Sequence, residues 1–149
     1  MGRTQAGRPA SRKGLEQARH FDFWLGEWDV AWPDGAATSS VYVDFDDKVI
    51  VESWDGRPSS EVQGMSVSLF DEESGVWRYT WVDSEGKYVA MSGGFDGDGM
   101  ELRSESGEPL RRARWFDIQR GSFSWTMEHS HDDGRTWKLV WDFNYRRVL

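Results

Sequence analysis

The chain has 149 residues, of which 38% are hydrophobic, 15% aromatic and 30% charged, with 10 Trp and no Cys. This length suits one domain, the aromatic content excludes a mainly disordered chain, and the lack of Cys excludes disulfides, thiolate metal sites and Cys nucleophiles. The net charge of −8 divides into +4 for residues 1–20 and −12 for the rest, and the acidic charge of this larger part argues against nucleic-acid binding. No apolar run is long enough for a membrane span.

The first part of the chain divides into a tail and a helix. Residues 1–13 are rich in Gly, Arg, Ser and Pro and are predicted to form a basic, disordered tail. They lack the apolar segment of a secretory signal, so we expect a cytoplasmic protein. Apolar residues then follow at helical spacing from Leu15 to Leu25, which predicts a short amphipathic helix over 14–25 at the start of a domain spanning 14–149.

After Gly26 the helical period is replaced by alternation and by regular turn signals, many of them Asp-Gly pairs. These signals separate ten predicted strands, at residues 27–33, 38–45, 48–54, 64–71, 76–83, 87–94, 99–105, 110–118, 122–130 and 136–147. Short connections make neighbouring strands antiparallel, and an even number lets the first strand pair with the last. We therefore predict an all-β fold, a single up-and-down antiparallel β-barrel, with the helix closing one end.

Alternation also predicts which side chains face the interior. One face of the fifth strand carries Trp77, Tyr79 and Trp81. In the ninth strand, Phe123 to His129 alternate with polar residues, and in the last strand the inward face is assigned to Trp137, Leu139, Trp141, Phe143 and Tyr145. The fourth and eighth strands do not show clearly which face is buried.

A ten-stranded barrel is wider than an eight-stranded one, and rigid aromatic rings suit the wall of a pocket. The first functional hypothesis is therefore the binding of a small, mostly hydrophobic or aromatic molecule inside the barrel. The residues expected to bind it are Trp28, Trp54, Ser66, Trp77, Tyr79, Trp81, Trp115, Trp125, Met127 and Trp141. The alternative, that these rings simply fill the core, is equally compatible with the pattern.

Polar groups on the aromatic face suggest a second hypothesis, an enzyme. Glu52 alternates with Ile50 and Trp54, and His129 follows Met127 on its strand. Burial would move the pKa of both side chains towards neutrality, where proton transfer is efficient. Glu52 would then be the general acid or base, with His129 or Tyr79 as its partner. The alternative for Glu52 is a structural hydrogen bond or an ion pair.

Two arginines of the eighth strand, Arg112 and Arg114, are the candidates for that ion pair or for holding an anionic group of a ligand. A third hypothesis is a partner-binding scaffold or homodimer, which an acidic surface with residual exposed rings would suit.

The pattern Ser130-x-Asp132-x-Gly134-x-Thr136-Trp137 fits an Asp-box turn, in which the Asp accepts hydrogen bonds from the turn and the Trp packs beneath the hairpin. We interpret it as structural. The three histidines, His20, His129 and His131, do not cluster, so no metal site and no cofactor are predicted.

The segment FDFWLGEWDV, residues 21–30, resembles the opening motif of an uncharacterised bacterial family with a calycin-like barrel. Further similar segments are Glu52–Trp54, Gly64–Ser66, Trp77–Ser84, Ser92–Gly94 and Ser130–Trp137. The resemblance implies an antiparallel barrel closed by a short helix. Calycins mostly bind small hydrophobic ligands, and a few are isomerases or cyclases, which is the enzymatic alternative here. A haem protein of nitrobindin type is the second alternative, with His129 as the candidate ligand, although the Gly-x-Trp-x-Gly-x-Gly signature is not matched.

Overall fold

A computed structural model describes residues 16–149, so the basic tail predicted for residues 1–13 lies outside the described part of the chain. These residues form ten strands: β1 Gly26–Trp32, β2 Gly35–Asp44, β3 Val49–Asp55, β4 Gln63–Asp71, β5 Val76–Asp83, β6 Tyr88–Phe95, β7 Met100–Ser104, β8 Leu110–Gln119, β9 Ser122–Ser130 and β10 Lys138–Arg147. The strand bounds differ by three residues or fewer from those predicted from the turn signals.

Each strand pairs antiparallel with the next along the chain, and β1 pairs with β10, so the sheet closes into a barrel. The all-β, up-and-down prediction is confirmed, and the architecture is consistent with a calycin-like fold. The closing pair is short, because the β1–β10 register runs only from Trp28↔Arg147 to Ala31↔Asn144. Residues 138–143 of β10 therefore extend beyond the part of the strand that β1 covers.

The helix predicted over 14–25 is not supported, because within the described residues only Glu16 and Gln17 are α-helical and the chain then continues in turns. From Arg19 to Leu25 the chain makes successive hydrogen bonds to carbonyls three residues back, and Asp22–Trp24 forms a 3₁₀ helix. In such turns residues i and i+3 point the same way, so Phe21 and Trp24 both insert into the barrel, with their ring centroids 5.1 Å apart. No helix within residues 16–149 has the length and apolar character needed to cross a membrane.

This inserted segment, which we call the plug, distinguishes the two ends of the barrel. At the plug end the Phe21 ring makes edge contacts with Trp77 and Trp115, each at 5.0 Å between centroids. The opposite end, called here the far end, carries the β1–β2, β3–β4, β5–β6, β7–β8 and β9–β10 connections. The plug half of the interior is a dense aromatic core.

The last strand departs from strict alternation. The β9–β10 register shifts between Leu139 and Trp141, which places a bulge at this point. Trp141 pairs with inward-facing Met127, whereas Leu139 pairs with outward-facing Glu128. The prediction that Leu139 shares the inner face with Trp141 is therefore wrong, because the extra residue reverses the alternation.

The β9–β10 connection is an Asp-box turn, as its sequence indicates. Asp132 accepts hydrogen bonds from Ser130 Oγ at 2.8 Å, from Thr136 N at 2.8 Å and from Thr136 Oγ1 at 2.6 Å. These bonds hold the pKa of Asp132 at about 2. The Trp137 ring lies beside Gly134 and is covered by the Arg112 guanidinium, 4.3 Å from the ring centroid. The turn thus has a structural explanation that requires no ligand.

Candidate functional site

Inward-facing rings at the far end of the barrel are only partly buried, and we call this group the aromatic mouth. It consists of Trp32, Trp54, Trp81, Trp125, Met127 and Trp141, with Phe143 at its base. Four of the indoles lie 4.9–5.5 Å from the buried Phe143 ring, between centroids. Trp141 is 47% exposed although it lies on the inner face. Solvent therefore reaches these rings from the far end, Trp141 most of all.

Local structure explains why this end is open. No plug segment covers it in the described chain, and β10 extends past the end of β1 on one side. Trp81 packs over Gly64 of the neighbouring strand, where a Cβ would collide with the indole, and its Nε1 donates to Asp83 Oδ2 at 2.9 Å. The rings are thus fixed in place by the barrel wall while their faces remain partly exposed.

The residues predicted to bind a ligand divide between the two halves. Trp54, Trp81, Trp125, Met127 and Trp141 lie in the aromatic mouth, and Ser66 and Tyr79 lie just below it. Trp28, Trp77 and Trp115 are instead buried in the plug half. Trp28 Nε1 donates to Trp24 O at 2.9 Å, and Trp77 Nε1 donates to Gln17 O at 2.9 Å. In the structure these last three rings fill the core.

A buried polar cluster lies between the aromatic mouth and the plug, centred on Glu52. Its carboxyl accepts hydrogen bonds from Ser66 Oγ at 2.7 Å and Ser39 Oγ at 3.4 Å, and the residue is 4% exposed. Burial raises the pKa of Glu52 from 4.5 to about 7, while the two hydroxyl bonds lower it. Glu52 is therefore partly protonated at neutral pH and can both donate and accept a hydrogen bond.

Two tyrosines flank this carboxyl. Burial raises the pKa of Tyr79 and Tyr145 well above 10, and the charge of Glu52 adds to both shifts. Both phenols are therefore neutral donors at physiological pH. The Ser68 hydroxyl, one inward position along β4 from Ser66, is 2% exposed and has no hydrogen-bond partner among residues 16–149.

The structure does not bring the other predicted polar residues to Glu52. His129 lies at the rim of the far end, on a strand separated from β3 by β2, β1 and β10. Arg112 and Arg114 lie on the outer wall, where Arg112 Nε donates to Glu128 Oε1 at 2.9 Å and Arg114 Nε donates to Glu101 at 3.0 Å. The partners of Glu52 are hydroxyl groups, so the suggested ion pair with one of these arginines does not form.

The haem alternative depends on His129 as the candidate ligand. The charges of Arg111 and Lys87 act on its imidazole at the rim, and the next inward positions of β9 are Met127 and Trp125, which stacks on Phe143 at 5.2 Å. Within residues 16–149, no three His, Asp or Glu side chains converge to hold a metal ion.

Two surface pockets lie elsewhere. A groove of about 720 Å³ lies on the wall of the barrel beside Asp29, Asp117, Asn144 and Arg146. A smaller pocket of about 220 Å³ lies between the His20 segment and the plug-end wall. Neither is lined by Glu52 or by the rings of the aromatic mouth. We consider the mouth the better candidate because its inward-facing rings are partly exposed and lie next to a buried polar cluster.

Several residues of this site were missed from the sequence. Phe143 and Tyr145 were assigned to the inner face but not to the ligand, and Trp32, Ser39 and Ser68 were not considered as ligand contacts. The alternation Ser66-Val-Ser68 did contain a signal, since small hydroxyl residues recur at inward positions beside the Glu52 strand.

Comparison with known proteins assigns neither a family nor a function to the chain. No protein-family model matches the chain, and no curated protein matches it.

Proposed function

We propose that the chain binds a small, mostly hydrophobic or aromatic molecule at the aromatic mouth of the barrel. The observation that carries the proposal is the partial exposure of inward-facing rings at the far end, above all Trp141. Partly exposed indoles offer rigid apolar surface to a flat ligand with little loss of rotamer freedom. The polar cluster around Glu52 supplies hydrogen-bonding groups below the rings.

The expected affinity is moderate. A ligand such as N-phenyl-1-naphthylamine has roughly 17 non-hydrogen atoms, and about 0.3 kcal/mol per atom gives about 5 kcal/mol of binding free energy. This corresponds to a dissociation constant on the order of 100 µM. The neutral naphthylamine is a suitable probe because its emission rises in an apolar site and its absorption overlaps Trp emission, so that binding also quenches the Trp fluorescence.

The test compares two Trp substitutions that remove the same fluorophore. Trp141→Leu removes a ring of the mouth, whereas Trp137→Leu removes a ring of the Asp-box turn that lies under Arg112. One lost aromatic contact corresponds to about a two- to tenfold weaker affinity. We expect this loss for Trp141→Leu and an unchanged affinity for Trp137→Leu. Absence of saturable binding, or equal effects of both substitutions, would refute the proposal.

A second candidate function is proton transfer to the bound molecule, as in an isomerase or cyclase. It is favoured by one observation, the carboxyl of Glu52 with a pKa of about 7 beside the neutral Tyr79 hydroxyl. For any apolar substrate found to be converted, Glu52→Gln should abolish turnover and leave naphthylamine binding intact. Turnover that survives this substitution would exclude Glu52 as the acid or base.

A further inference from the structure

Three basic side chains form a row across the rim of the far end. Arg111 of β8 pairs with His129 of β9, which in turn pairs with Lys138 of β10. Paired residues of neighbouring strands point to the same face of a sheet. His129 lies on the inner face with Met127 and Trp125, so all three basic groups lie on that face. The bulge after Leu139 is what brings Lys138 to it.

The charges in this row are not neutralised by nearby acids. Neither Arg111 nor Lys138 forms an ion pair with a carboxylate of residues 16–149, whereas the outer-wall residues Arg112 and Arg114 both do. Burial lowers the pKa of His129, and the charges that add to this effect are all cationic: Arg111, His131 and Lys87. Of the acids in the adjoining turns, Glu108 pairs with His131, and Asp132 accepts hydrogen bonds from Ser130 and Thr136 within the Asp-box turn.

The carboxylates nearest to the mouth on the opposite wall already have partners. Asp83 accepts a hydrogen bond from Trp81 Nε1, and Asp55 accepts two from the Arg57 side chain at 3.0 Å. Arg111 and Lys138 on the β8–β10 side thus form no ion pair within residues 16–149, whereas Asp55 and Asp83 on the β3–β5 side are engaged. An anion near the mouth would be drawn to the first side.

The basic row adjoins the aromatic mouth directly. His129 and Met127 are two positions apart on one strand, a distance of about 6.6 Å, and Trp141 pairs with Met127. We propose that this row binds the anionic group of the molecule whose rings lie in the aromatic mouth, so that the ligand is an aromatic carboxylate, sulfonate or similar organic anion. This inference rests on the proposed function and adds the chemical class of the ligand.

The experiment compares two probes that share a ring skeleton. 8-Anilinonaphthalene-1-sulfonate carries a sulfonate, and N-phenyl-1-naphthylamine lacks it. We expect the unmodified chain to bind the sulfonate about five- to tenfold more tightly in low salt, and 0.5 M NaCl to reduce this preference by screening. The double substitution Arg111→Gln with Lys138→Gln should remove the preference and change naphthylamine affinity less than about twofold.

The matched control changes the net charge equally at the plug end. Lys48→Gln with Arg120→Gln removes two exposed cations from the β2–β3 and β8–β9 turns and should leave the preference intact. Equal binding of both probes by the unmodified chain would overturn the inference and leave the proposed function standing. Loss of the preference in the control would also overturn it, because a general field effect would then explain the result. If the naphthylamine itself does not bind, the proposed function fails and this inference fails with it.

Discussion

Substituting Glu52 by Gln removes a buried titrating group and keeps the shape of the side chain. In the unmodified chain, burial raises the pKa of Glu52 from 4.5 to about 7, so the folded state retains a proton that the unfolded chain releases between these values. The contribution of Glu52 to stability is therefore fully present below pH 4.5 and is lost as the pH rises through 7. The difference between the two pKa values, at about 1.4 kcal/mol per pKa unit, is about 3 kcal/mol.

The assay is urea unfolding followed by Trp emission at pH 5 and pH 8. Between these two values the unmodified chain should lose about 2 to 3 kcal/mol more unfolding free energy than the Glu52→Gln variant. Glu72→Gln, in the exposed β4–β5 turn, makes the same change in net charge and should retain the steeper pH dependence.

If the unmodified chain and Glu52→Gln lose the same unfolding free energy over this range, the reasoning is refuted. Glu52 would then be ionised and solvated in the folded state, and the buried polar cluster could not act as a neutral hydrogen-bond partner. A parallel loss of pH dependence in Glu72→Gln would show instead that net charge determines the slope.

Two further predictions test the packing of the barrel wall, each by the unfolding free energy in urea. In β6, Gly93→Ala would place a Cβ against the carbonyl oxygen of Glu101 and should cost about 1–3 kcal/mol, while Gly94→Ala meets nothing and should be close to neutral. Leu102→Ala, at a fully buried position, should cost about 2–5 kcal/mol, whereas Leu139→Ala, at a position that is 53% exposed, should stay within about 0.5 kcal/mol. If both substitutions of either pair cost a similar amount of unfolding free energy, the side-chain environments assigned to these positions of the barrel wall would be contradicted.

The barrel could be predicted from the sequence because its determinants are local. Asp-Gly pairs mark many of the hairpin turns. Because the segments that connect the strands are short, each strand can pair with the next only in the antiparallel direction. Alternation in β5 and β9 correctly identified the inner face, since each strand has a continuous run of rings on one side. The pairing of β1 with β10 followed from the even strand count.

The predictions from the sequence failed where a local sequence pattern is compatible with two structures. Phe21 and Trp24 are three residues apart, a spacing shared by an α-helix and by 3₁₀ turns, and only the aromatic partners inside the barrel select the latter. The bulge near Val140 changes the face of every residue before it and has no sequence signal of its own. In β4, Ser66 and Ser68 face inward and Met65 and Val67 outward, because the interior there must accommodate the carboxyl of Glu52.

The aromatic rings are packed differently in the two halves of the barrel. At the plug end, Phe21 and Trp24 bring additional rings from outside the sheet, and these occupy the space that the width of a ten-stranded barrel creates. The far end has the same width, yet within residues 16–149 no comparable segment enters it. Trp141 and its neighbours must therefore remain partly in water, at a cost of about 25 cal/mol for each exposed apolar Å². A ligand that covers these rings recovers that free energy, which is why the ligand is expected at the far end.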